Sequence, residues 1–131
     1  MFEVSSFKGW LLVAFGSMSG AMLRFWIANN LRSISTSRYL GTFLVNISSA
    51  FALGLLLSRF DQSISLSNHS QLILLLGVGF LGSLSTFSTF IFEILMSIRE
   101  QRWKEGIVWG IGSIVGGLIA LATGYGAVLY E

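Results

Sequence analysis

The stretch Gly79 to Phe90, GFLGSLSTFSTF, constrains this chain more than any other. It lies within Leu72 to Phe92, a run without a formal charge that as a helix would span roughly 30 Å, the thickness of a bilayer core. Yet the run holds Gly77, Gly79, Gly82 and Ser83, then the hydroxyls of Ser85, Thr86, Ser88 and Thr89. A plain membrane anchor needs none of these. Glycine costs about 1 kcal/mol against alanine inside a helix, so these glycines mark the expected place for the helix to break. Irregular backbone at membrane depth is tolerated only where protein buries it or where it lines a wet cavity. Carbonyls freed there can hold a cation. The feature points to an ion or solute pathway.

Composition agrees. Hydrophobic residues make up 53% of the 131-residue chain and charged residues 11%, where a soluble domain has about 25% charged. Mean hydropathy is +0.77. The chain reads as one domain, residues 1–131, of an all-α membrane protein. Cysteine is absent, which excludes disulfides, thiolate metal sites and a catalytic thiol. The single histidine, His69, falls in a polar stretch and reads as a solvated loop residue. The net charge of +2 is scattered and offers no basic run for nucleic acid. No nucleophile–base pair or metal cluster suggests an enzyme. The first apolar segment has only Lys8 before it and runs into Gly16, Gly20 and Arg24, so it reads as a span and not as a cleaved signal.

Four spans are expected: Trp10 to Asn29, Leu40 to Leu57, Leu72 to Ile98, and Gly106 to Leu129. The connections are short, so chemistry must lie within the spans or between copies of the chain. Small residues recur at steps of four, as Gly16 and Gly20 in the first span and Gly112, Gly116, Ala120 and Gly124 in the fourth. That spacing lets helix backbones approach closely, either inside the bundle or at a subunit interface. Four short spans enclose little by themselves, which favours oligomerisation. Arg32, Arg38, Arg99, Arg102 and Lys104 lie on one side and Lys8 and Arg59 on the other, which would put the termini outside.

Polar residues inside the spans supply the candidate site. Arg24 follows Gly20 on one helix face and either snorkels, pairs, or draws anions into a vestibule. Thr42 and Asn46 share a face of the second span, and Ser113 stands in the fourth. Singly, each fits an interhelical hydrogen bond. Together with the hydroxyls of the third span, Ser88 and Thr89 among them, they could form one polar track. Phe87 and Phe90 share a face and could turn electropositive ring edges toward an anion. Glu93, one turn later, is expected beside such a path and not in it.

Three segments, GSMSGAMLR (Gly16 to Arg24), GTFLVNISSAFALG (Gly41 to Gly54) and Gly79 to Phe90 followed by Glu93, together resemble the Fluc (CrcB) family of fluoride channels. Ser113 and the glycine-rich helix after it extend the likeness across nearly the whole chain. The resemblance implies four transmembrane helices with a break in the third, and an antiparallel dual-topology dimer with two fluoride pores. It implies a structural Na+, not transported, on the main-chain carbonyls of Gly82 and Ser85. Phe87 and Phe90 match the family's pore phenylalanines; Asn46, Thr42 and Ser113 match its polar track. Glu93 and Arg24 match its supporting acidic and basic residues. The implied role is passive export of fluoride across a prokaryotic plasma membrane, which limits its toxicity. Hydroxyl and amide donors suit a small, strongly hydrated anion that must shed water.

Several positions depart from the family pattern. Ser83 stands where a second glycine is usual, Ser85 where threonine is usual, and Trp109 where a track tyrosine would supply a hydroxyl. A proline common before the GT pair is missing. Pairing with a homologous subunit of opposite orientation is therefore an alternative to a homodimer. A small multidrug-type proton-coupled antiporter is a more distant one, since Glu93 is the only intramembrane acid and lies outside the first span, where that family keeps its own.

Overall fold

The computed structural model describes residues 7–34, 39–61 and 70–129. His69 and Arg38 lie outside them, as do most of the stretch that joins the second and third spans and the side chain of Arg32. The elements are helices α1 (Phe7–Ile34), α2 (Leu40–Asp61), α3 (Ile73–Leu81), α4 (Gly82–Leu84), α5 (Ser88–Arg99) and α6 (Trp103–Leu129). Among the described residues, four helical stretches are long and apolar enough to cross a membrane: Phe7–Leu31, Leu40–Phe60, Ser70–Arg99 and Trp103–Val128. They coincide with the four expected spans and extend most of them by a few residues. The chain is thus a multi-pass membrane protein by length and composition.

The helices pair as α1 on α3 and α2 on α6, and the elements of the third span touch all the others. Glycine makes both pairings close. A Cβ on Gly16 would overlap the carbonyl oxygen of Leu75 and lie 2.9 Å from the Phe80 nitrogen. One on Gly20 would overlap the Phe80 carbonyl and the Ser83 hydroxyl. Across the other pair, a Cβ on Gly54 would overlap the Leu121 carbonyl, and one on Gly124 the Phe51 carbonyl. In lipid, such approach supplies the packing that hydrophobic burial cannot. The Gly16/Gly20 spacing is therefore internal packing. In the fourth span, Gly124 is internal too, whereas a Cβ on Gly112 would meet nothing within 4 Å.

The glycines of the third span behave differently from expectation. Gly77 and Gly79 lie within α3, which has π-helical bonding, and Gly82 is helical at φ −63°, ψ −34°. The non-helical residues come later. Ser85 is extended at ψ 153°, and α5 begins at Ser88. The glycines serve close approach instead: Gly79 packs on the Gly16 backbone. A π-helical stretch widens the helix and often marks a functional segment.

The buried apolar core is small, with Val45, Leu81 and Leu84 at its centre and Ile27, Ala52, Leu53, Leu56 and Phe80 around it. Large apolar side chains cover the outside, among them Trp10, Phe15, Phe25 and Trp26 on α1 and Ile111, Val115, Leu118 and Ile119 on α6. That is the surface of a chain solvated by lipid or by another apolar partner. In the connection before α6, Gln101 takes the left-handed conformation at φ 61°, and Arg102 pairs with Glu105 at 2.6 Å. Hydrogen bonding to Glu105, and then its charge, raise the pKa of the Arg102 guanidinium above its ordinary value.

Candidate functional site

Two helices, α1 and α2, converge on the non-helical residues 85–87. From α2, Asn46 reaches the main chain of Thr86 with both ends of its amide. Its Oδ1 accepts the Thr86 N–H at 2.8 Å, and its Nδ2 donates to the Thr86 carbonyl at 3.1 Å. From α1, the half-buried Arg24 points an Nη1 at the Ser85 carbonyl, 3.5 Å away. The Ser83 hydroxyl donates to the carbonyl of Ser17 at 2.9 Å and so ties the same region to α1. Backbone polar groups that leave a helix inside a membrane need such partners, because no water supplies them.

Thr86 is the residue that sequence reasoning undervalued. It is 8% exposed, and its hydroxyl accepts the Thr89 N–H at 3.3 Å, which satisfies a free amide in the first turn of α5. The same hydroxyl lies 3.2 Å from the Thr89 hydroxyl and 3.4 Å from that of Ser88. Ser88 and Thr89 are themselves exposed. No periodicity in the sequence singles out Thr86 from its neighbours. Its role follows from Asn46, far away in the chain.

The amide of Thr86 would, in a continuous α-helix, bond the carbonyl of Gly82. Because it bonds Asn46 instead, that carbonyl is left to the Ser85 hydroxyl at 3.4 Å. The Ser85 carbonyl, turned out of the helix by ψ 153°, faces the Arg24 guanidinium. Both bonds are long for neutral or charged pairs. The two carbonyls therefore have the chemistry a small hard cation prefers, oxygen donors without a firm prior partner.

A cavity of about 280 Å³ opens beside this segment. Asn46, Ser85, Thr86, Phe87, Phe90 and Ser113 line it, together with Ile114. It joins α2, the non-helical segment, α5 and α6. A second cavity of about 190 Å³ shares Asn46 and Ser85 and reaches Gly77, Gly82 and Ser49. Phe87 and Phe90 have ring centroids 6.2 Å apart with a tilt of 43°, and Phe87 is 75% exposed.

The expected polar track is thus only partly one surface. Asn46 and Ser113 meet the phenylalanines. Thr42 does not line that cavity; its hydroxyl donates to Glu93 Oε1 at 2.8 Å, a turn further along both helices. Each of these two residues gives the other a partner inside the membrane. Beyond them, Tyr39 hydrogen-bonds Ser97, and Ser97 donates to the Glu93 carbonyl at 3.1 Å. The Tyr39 ring stacks on Trp109 at 5.6 Å, so the tryptophan joins an aromatic group with Tyr39 and Phe43. No local signal marks Tyr39 and Ser97 as partners.

Comparison with known proteins gives the family of the chain. The family model described as CrcB-like protein, Camphor Resistance (CrcB), matches residues 11–125. Fluoride-specific ion channel FluC 1 of Prochlorococcus marinus (strain MIT 9313) is 51% identical over 115 residues, 88% of each chain. Fluoride-specific ion channel FluC 2 of Moorella thermoacetica is 37% identical over 120 residues, 88% of this chain and 93% of the relative. The FluC of Chloroflexus aurantiacus (strain J-10-fl) is 36% identical over 120 residues, 88% of this chain and 91% of its own. The match takes in most of α1 and α6 and all of the helices between them, along with Asn46, Thr86 and the paired phenylalanines, and with these relatives it shows that the chain belongs to the CrcB, or Fluc, family.

Proposed function

We propose that this protein is a fluoride channel that lets the ion leave the cell passively down its electrochemical gradient. The observation that carries the reading is the cavity in which Asn46 and Ser113 face Phe87 and Phe90. Amide and hydroxyl donors stand there next to aromatic ring edges, a combination suited to a small anion that has lost water. The relatives' name, fluoride-specific ion channel, supports the choice of ion. Thr42 is kept from the anion by Glu93, so its hydroxyl shields the carboxylate more than it serves the path.

The working unit on this reading is an antiparallel dimer with two pores in a prokaryotic plasma membrane. Phe87, apolar, aromatic and 75% exposed at membrane depth, is what a second copy would cover. A Na+ on the carbonyls of Gly82 and Ser85, when bound, supplies a fixed positive charge that attracts anions through a medium of low dielectric. The bond of the Thr86 amide to Asn46, which leaves the Gly82 carbonyl without its helical partner, supports that assignment. Arg24 would add positive potential from the α1 side.

Fluoride efflux from liposomes that hold this protein alone, with sodium present and chloride as the control anion, tests the reading. Selective fluoride loss is expected, and Phe87→Ile should reduce it at least a hundredfold without unfolding the protein. Silence from inserted, folded protein would end the homodimer form of the reading. The second form, a channel of two different subunits in opposite orientations, draws on relatives whose names carry the numbers 1 and 2 and on the uneven distribution of Lys and Arg between the two sides. Co-reconstitution with a homologous subunit would then restore flux.

A further inference from the structure

Asn46 is bonded in a way that an anion ligand alone does not require. Its amide is spent on the main chain of a single residue, with Oδ1 on the Thr86 N–H at 2.8 Å and Nδ2 on the Thr86 carbonyl at 3.1 Å. Only one of the two Nδ2 hydrogens remains for anything else. The same side chain, with Ser85, lines both cavities, one toward Phe87 and Phe90 and the other toward Gly77 and Gly82.

We propose that Asn46 is a positioning residue that keeps the Gly82 carbonyl available for a cation by holding the Thr86 amide away from it. The alternative for that amide is the bond a helix would make. Gly82, Ser83 and Leu84 are already α-helical, and the Ser85 amide still bonds the Leu81 carbonyl at 3.1 Å. One more helical bond, Thr86 N–H to Gly82, would occupy the carbonyl and straighten the segment. The Asn46 oxygen competes with that bond and wins at 2.8 Å. The donor half of the amide then satisfies the Thr86 carbonyl, which the turn away from helix exposes. The acceptor half of Asn46 therefore controls the cation side, and the donor half steadies the segment behind Phe87. This inference rests on the sodium reading given above.

The two halves can be separated by substitution. Asn46→Leu keeps much of the volume and removes both bonds. Asn46→Asp keeps the acceptor for the Thr86 amide and puts a second carboxyl oxygen in place of the donor. The readout is thermal unfolding in detergent without fluoride, with NaCl titrated against N-methylglucamine chloride at constant ionic strength. Wild-type protein should gain stability with sodium. Asn46→Asp should keep that gain, and Asn46→Leu should need at least tenfold more sodium or lose the gain. Thr123→Val serves as a control for loss of a membrane-helix hydroxyl, since Thr123 bonds only carbonyls of its own helix, those of Ile119 and Ala120.

Should Asn46→Leu fail to fold, the wild-type protein gives a second readout. Labelled with 13C at glycine carbonyls, it should show the Gly82 resonance move when sodium replaces N-methylglucamine. An unmoved resonance overturns the proposal. So does a wild-type sodium response in Asn46→Leu, in which case the channel and its cation site stand and Asn46 merely joins two helices. A wild-type protein indifferent to sodium overturns the proposal together with the cation part of the reading. Its fluoride efflux then tells separately whether the channel reading survives.

Discussion

At Gly20 a single hydrogen atom in place of a side chain decides how two helices meet. The Phe80 carbonyl and the Ser83 hydroxyl occupy the space where a Cβ would stand, and one of the obstacles is backbone. Gly20→Ala must push α1 from the third span, at a cost of about 1–3 kcal/mol, the range for overpacking a tight contact. Thermal unfolding in detergent would measure it. Gly112→Ala, with nothing within 4 Å of the added carbon, gives the comparison within the same chain. Gln101 presents the opposite case. Its φ of 61° suits glycine, and it stands just past α5, where the Arg102 amide bonds the Ser97 carbonyl at 2.8 Å. Gln101→Gly should stabilise the protein by about 1 kcal/mol, the strain a side chain carries in the left-handed region. An unchanged unfolding temperature would refute that account. Glu93 was expected beside the path, and at this scale its partner is plain, because the Thr42 hydroxyl donates to it.

At the scale of elements, the third span works as a helix that stops and restarts. The stop is not at glycine. Gly77, Gly79 and Gly82 are helical; the bare Cα of Gly79 admits α1, and Gly77 and Gly82 line the smaller cavity. The restart depends on Thr86, whose hydroxyl takes up the Thr89 amide in the first turn of α5. Thr86→Ala should weaken that start by about 1 kcal/mol, as loss of a capping oxygen does elsewhere. Thr86→Ser should keep it. Hydrogen exchange at the amides of Ser88 to Ile91 is the direct measurement, with faster exchange expected in the alanine variant alone. The glycine contacts between α2 and α6, at Gly54 and Gly124, hold the second helix pair in the same manner as the first. Ser113 on α6 is thereby fixed opposite Asn46 on α2, and the cavity between them is set by two rigid pairings and not by a loop.

At the scale of the whole molecule, the chain leaves Phe87 and broad faces of α1 and α6 uncovered. Lipid can cover the faces of aliphatic and aromatic side chains. On the dimer proposed above, a second copy would cover the phenylalanine beside the polar cavity. Orientation is open to a simple measurement because the chain has no cysteine of its own. Lys104→Cys places one thiol at an exposed position by the start of α6. A dual-topology homodimer predicts that a membrane-impermeant maleimide labels about half of the molecules from either face of the membrane. Labelling from one face only would exclude dual topology and favour two different subunits of fixed orientation.

The sequence by itself determined the class, the four spans and the family. These follow from local quantities, since length, hydropathy and short motifs such as GTFLVN and STFSTF are properties of neighbours along the chain. It also marked Arg24, Asn46 and Ser113 as odd for an anchor, because a polar or charged group in a span needs a reason. Only the tertiary structure decided what each one touches. Asn46 and Thr86 are paired by two hydrogen bonds between α2 and the non-helical segment, and no spacing rule connects positions on different spans. Glycine illustrates the same division. Composition says that a backbone is free to bend, but whether it bends or lets a neighbour approach depends on what packs against it. At Gly79 the neighbour was Gly16, and the helix went on.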